Sequence, residues 1–239
     1  MCSSDLLAAD AKAFKDRYAG KIAGLDGTEL GRAIQTYELV DEITGRIMSY
    51  AYLVYAGDMS SAENGRFFQS MQEKVNAAGT DLLFFTLEIN RIREADMARR
   101  LAAPELAFYK PWLRDVRAFR EHQLSDEIEE KRHEKSVTGK SAWVRLFDET
   151  FARLRFPFDG KQLTSAEVLD KLSHKDGAIR EKAAKSFAGV LTENIGLFAL
   201  VTNTLAKDKE IGSAASRERA VRPVVCATHE KHVHRDTDA

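Results

Sequence analysis

Between Phe68 and Ile92 the apolar residues fall at Phe68, Met71, Val75, Ala78, Leu82, Phe85, Ile89 and Ile92, alternately three and four apart. That rhythm is a narrow apolar stripe on a long helix, and a helix so patterned must bury the stripe against other helices. The preceding stretch repeats the pattern with Leu30, Ile34, Tyr37, Val40, Ile43, Ile47, Tyr50 and Val54, and Thr28 is suited to cap its start. Gly57-Asp58-Met59-Ser60 breaks the periodicity. Two long amphipathic helices joined by a short polar turn fold back as an antiparallel αα-hairpin. An earlier helix carrying Leu7, Phe14, Tyr18, Ile22 and Leu25 lies beside it, so residues 6–92 are expected to form a three-helix amino-terminal unit.

Residues 93–211 continue as a helical region. Phe108, Tyr109, Trp112 and Phe119 mark a shorter helix between Pro104 and about Gln123, with Pro111 in its first turn or splitting it, and Trp112 a core residue. A polar helix follows from Ser125 to Ser136, its acidic start favoured by the helix dipole and its end set by Val137-Thr138-Gly139-Lys140. The next helix turns Trp143, Leu146, Phe147, Phe151 and Leu154 inward. Phe156-Pro157-Phe158, Asp159-Gly160 and Lys161-Gln162-Leu163 then predict a small β-hairpin within residues 154–164. One long helix is expected from Asp176 to about Glu210, with Ile179, Ala183, Phe187, Leu191, Ile195, Phe198, Val201 and Leu205 along its stripe. The fold class expected is mainly α, with long antiparallel helical hairpins, one small β-hairpin and a disordered tail.

The tail is set apart by composition. Gly212 to Ala239 contain no Leu, Ile, Phe, Met, Tyr or Trp, and a segment that cannot bury apolar surface cannot offset its ordering entropy. Residues 212–239 are therefore read as unfolded and as the product of a frameshift at Ile211, and residues 1–5 as a leader foreign to the helix that follows. Elsewhere 44% hydrophobic residues suffice for a core, and 31% charged residues cancel to a net of −1, which gives no electrostatic reason for nucleic acid or an anionic membrane as partner. No apolar run reaches the roughly 20 residues that span a bilayer, and the opening residues lack signal-peptide order, a cytoplasmic pattern. Cys2 and Cys226 lie in the two segments least suited to packing, which argues against a disulfide or a cysteine-based metal site.

Five stretches taken together resemble the oligoendopeptidase F group of zinc metallopeptidases, relatives of thimet oligopeptidase: GRIMSYAYLVYAGD (45–58), LLFFTLEINRI (82–92), HEKSVTGKSAWVRLFDET (133–150), LRFPFDGKQLT (154–164) and LFALVTNTLAKDKEI (197–211). The resemblance implies a mostly helical amino-terminal lobe and the approach to a catalytic lobe. It implies zinc and short-peptide substrates for a complete enzyme, in which H-E-x-x-H and a later Glu hold the metal and supply the base. No counterpart of that motif occurs in this chain, so no catalytic, cofactor-binding or metal-binding residue is assigned and no bound cofactor is expected.

Two sequences come near it. His133-Glu134-Lys135-Ser136-Val137 puts Val where the second His must stand to face the same metal from one helix side, and it is read as a solvated helix end. His229-Glu230-Lys231-His232-Val233-His234 also has Val at that position, and its three imidazoles suit only weak, adventitious metal capture.

Two functions follow. The first is the amino-terminal part of a zinc endopeptidase, inactive alone, awaiting a catalytic lobe and exposing apolar surface on its last helix that favours self-association. The second is a non-catalytic helical module that docks a peptide or partner helix. A Ser or Cys hydrolase lacks support, because no G-x-S-x-G occurs.

Overall fold

A computed structural model describes residues 3–215, with side chains from Ser4 to Gly212. Cys2, Cys226, the tail histidines, residues 1–2 of the proposed leader and most of the tail lie outside the described residues, while residues 3–5 belong to the first helix. Three helices, α1 (Ser3–Tyr18), α2 (Gly27–Gly57) and α3 (Ala62–Arg91), pack on one another. The stripe of α3 is buried as its spacing requires, with Phe85 and Ile89 fully enclosed. Phe14 of α1 lies 5.1 Å from Phe85 edge to face, and Tyr37 of α2 closes the cluster 5.0 Å from Phe85. Aromatic pairs at such separations add to the area they bury.

The start of α2 lies before the expected Thr28. Asp26 is the N-cap, accepting from the Glu29 amide at 2.8 Å while Glu29 accepts from the Asp26 amide at 3.1 Å. This reciprocal capping box satisfies two otherwise orphan donors, which Thr28 could not do from inside the first turn. Thr28 instead donates to Glu105 at 3.1 Å. The far end of α2 also differs by one residue from the expected stripe. Ala51 and Tyr55 are buried against Phe68, and Tyr50 is 64% exposed. With apolar residues on every side of this last stretch, the sequence does not mark which face turns inward.

The core continues beyond α3. Met97 of α4 (Glu94–Arg100), Leu106 of a short 3-10 turn (Pro104–Leu106), and Tyr109 and Leu113, beside and within α5 (Lys110–Ala118), join the cluster of α1–α3. Trp112 packs against the same cluster, as a core residue should. Gly31 makes the approach of the 3-10 turn possible, since a Cβ there would stand 2.6 Å from Cβ of Glu105. Tyr109 donates to Glu38 at 2.7 Å, which with burial pushes its phenol up to about 12.

Beyond α5 the packing thins. α6 (Asp126–Lys135) lies on α3, and α7 (Lys140–Arg153) carries no fully buried residue. The β-hairpin forms where expected, β1 (Phe156–Phe158) pairing antiparallel with β2 (Lys161–Leu163) through a turn with Asp159 and Gly160 at positive φ. An additional helix, α8 (Ser165–Lys171), follows under a Thr164–Glu167 capping box. Phe156, Phe158, Val168 and Ala183 make a second, small core with α9 (Gly177–Glu193).

The single last helix of the sequence reading is two. α9 ends at Asn194 and α10 (Ile195–Ala215) leaves at 67° to it. The Asn194 amide donates to Leu191 instead of Val190, and its side chain caps the Val190 carbonyl at 2.8 Å. A side chain that takes over a ladder carbonyl produces such a kink. α10 runs four residues past Ile211, through Gly212 to Ala215, so the helix crosses the point where the composition changes.

Candidate functional site

The His133-Glu134 pair is a structural clasp between α6 and α3. Nε2 of His133 lies 3.1 Å from the Asn76 carbonyl, and a Cβ on Gly79 would sit 2.7 Å from the same nitrogen. Ser136 donates to Oδ1 of Asn76 at 3.0 Å. His133 is therefore docked on α3 and is not the solvated helix end expected from sequence. Glu134 turns away to accept from Lys131 at 2.6 Å. With Val137 one turn on and no grouping of three or more His, Cys, Asp or Glu able to hold a metal among the described residues, these side chains do not fit zinc.

A second polar cluster, unmarked in the sequence, closes the end of α3. Arg117 is 7% exposed and donates to the Ile89 and Ile92 carbonyls at 2.6 and 2.8 Å. It also reaches Glu94 at 3.0 Å, and Arg120 reaches the same carboxylate at 2.6 Å. Those two guanidinium hydrogen bonds hold the Glu94 carboxyl below the usual carboxylate range. The last carbonyls of a helix need such donors, so the charge of Arg117 is committed to the fold. A cleft of about 490 Å³ runs between α4 and α5 over Met97 and Leu113.

The third feature is apolar. Phe147 and Phe151 on α7 stack at 5.8 Å, and Phe198 of α10 meets Phe147 at 5.3 Å. Phe147 and Leu146 are each 40% exposed, against the inward placement expected, and Ile195 and Leu200 of α10 are 62% and 54% exposed. Val201 is the one residue described as buried on α10. The two helices thus present a face of large apolar side chains that their own packing covers only in part. Among the described residues no single helix is long and apolar enough to cross a membrane.

Three comparisons bear on this arrangement. Residues 88–156, from the end of α3 through α7 to β1, match the family model described as Oligopeptidase F. The crystal structure of oligoendopeptidase-F from Enterococcus faecium superposes with a TM-score of 0.74 at 20% identity, covering 89% of this chain and 42% of that one. A candidate peptidase of Chlamydophila abortus superposes at 0.53 with 16% identity, covering 89% of this chain and 38% of that one. The chain thus spans less than half the length of either structure. No curated protein matches it in sequence. A sequence pattern and a shared fold point the same way: residues 88–156 match the oligopeptidase F family model, and 89% of the chain shares the fold of oligoendopeptidase-F.

Proposed function

We propose that residues 3–215 are the helical lobe of a cytoplasmic zinc endopeptidase of the oligoendopeptidase F kind, acting on short peptides when joined to a catalytic lobe. The observation that carries the reading is the match over residues 88–156, the stretch that runs from the deep core of α3 to the half-covered aromatic helix α7. In this reading the face of α7 and α10 packs against the catalytic lobe, which would bury Phe147, Ile195 and Leu200. The lobe itself supplies shape, a wall that admits peptides and excludes folded proteins, and no bond-breaking group. Zinc would provide a polarised water in the complete enzyme, and its ligands would come from the other lobe.

The test is to read the coding DNA in all three frames beyond the Ile211 codon, alongside an assay of the chain against quenched-fluorescent peptides with added zinc. The reading expects H-E-x-x-H and a later Glu downstream, and no hydrolysis by the chain alone. Chelator-sensitive hydrolysis by these 239 residues, or an open frame without that motif, would overturn it, and the second outcome would favour a free-standing helical binding module.

A further inference from the structure

The last three turns of α2 contain no charge. From Ile47 to Gly57 the sequence reads IMSYAYLVYAG, bounded by Arg46 on one side and Asp58 on the other. A helix apolar all round is a buried helix. Here only one side is buried, by Ala51 and Tyr55 against α3, while Tyr50, Tyr52 and Leu53 are 64%, 49% and 69% exposed. Tyr50 and Tyr52 lean back on Phe67 and Phe68 with ring separations of 6.1 and 6.0 Å, which holds them as walls on either side of Leu53. Between the walls lie Ser49 and Ala56, both small and exposed. Tyrosine walls held by packing lose little entropy on association, and aromatic residues free of neighbouring charge are the composition of interface centres.

The charges say what fits there. Reversed and laid against itself, the segment is complementary: with a twofold axis between Tyr52 and Leu53, Ser49 faces Ala56, Leu53 faces Tyr52, and at both ends Arg46 falls one residue from the position facing Asp58, within reach of its long side chain. These two charges are about 18 Å apart along the helix, at 1.5 Å per residue. Both are exposed, and Asp58 is kept ionised by the Ser60 hydroxyl and amide, which it accepts at 2.6 and 2.9 Å. Arg46 now pairs with Glu42 on its own helix at 2.6 Å, an exposed contact that a partner's carboxylate can replace at little cost. We propose that this face of α2 docks a second copy of the chain, antiparallel, as a twofold dimer. The surface lies outside the α7–α10 face assigned above to the catalytic lobe, and the inference does not depend on that assignment.

An isologous contact of this kind makes each charge partner its opposite in the other copy, which permits a decisive experiment. Sedimentation velocity over a concentration series is expected to show a monomer–dimer equilibrium, weak for so small a patch, with a dissociation constant of about 10 μM. Arg46→Asp and Asp58→Arg are each expected to weaken it at least tenfold, since each sets like charges opposite one another. Mixed in equal amounts, the two variants are expected to dimerise again, because every end contact is then Asp against Arg. Leu53→Glu, at an exposed site where the fold tolerates change, should leave a monomer with unaltered circular dichroism, and it decides the matter should Asp58→Arg unfold. A monomeric wild-type chain, a dimer untouched by Leu53→Glu, or one dissolved by Phe147→Glu instead would overturn the proposal, as would mixed variants that fold and stay apart.

Discussion

Phe85 and Phe147 occupy equivalent steps in two helical stripes and meet different surroundings. Phe85 is fully enclosed among α1, α2, α3 and the Trp112 ring, whereas Phe147 is 40% exposed beside Phe151 and Phe198. The amino-terminal helices close a core from several sides; the β-hairpin, α8 and α9 share only a small hydrophobic cluster, and α7 and α10 a half-covered face. The contrast teaches that an apolar stripe specifies a helix but not whether its cover lies within the same segment. In the first region the neighbouring stripes of one sequence meet each other. In the second, one side of the stripe has no counterpart among the described residues.

Substitutions sharpen the contrast. Phe85→Ala removes a ring from a closed core and should cost ~3–5 kcal/mol of unfolding free energy in urea melts. Arg117→Met leaves the Ile89 and Ile92 carbonyls without their donor and should cost ~2–4 kcal/mol, with Arg117→Lys recovering only part because one ammonium cannot reproduce the fork. Gly31→Ala drives a methyl into Glu105 and should cost ~1–3 kcal/mol, read by the same melts. Phe147→Glu should cost less than ~1 kcal/mol and improve solubility, and a loss as large as that of Phe85→Ala would erase the distinction between the regions.

The smallest effect is in pH. Glu94 has a folded-state value below its ordinary 4.5 because Arg117 and then Arg120 donate to it. A depressed carboxylate stabilises the fold fully above its unfolded value, and that contribution fades as pH falls through the lower folded value. Glu94→Gln should therefore lower stability slightly at neutral pH and flatten the profile below about pH 4.5, the difference from wild type shrinking toward pH 3, measured by melts from pH 3 to pH 7.

The seam of α3, the α2–α3 turn and the β-hairpin were legible because each depends on local spacing or turn chemistry. The capping boxes at Asp26–Glu29 and Thr164–Glu167 were written in the sequence as well, and a strict search for an acid-accepting residue three places before Glu finds both. The kink at Asn194 was not legible, because Ile195, Phe198 and Val201 keep the helical rhythm of Ala183 and Phe187 across it. Nor was the inward side of residues 47–57, where apolar residues on all faces leave periodicity nothing to distinguish. The Arg117 cluster depends on contacts between residues over twenty positions apart, which no local pattern carries. As for His133, sequence excluded the zinc site by the Val at position 137, yet the fit of its ring over Gly79 emerges only when α6 meets α3.

The claim that residues 140–215 form a thin region awaiting a partner is tested most directly by amide hydrogen exchange on the intact chain. Amides in the carboxy-terminal third of α3, around Leu82 to Ile89, should exchange only through global unfolding. Those of α7 and α10 should exchange through local opening, at least ~100-fold faster. Equal protection in the two regions would contradict the account, since it would mean that the face carrying Phe147, Ile195 and Leu200 is stable without any cover.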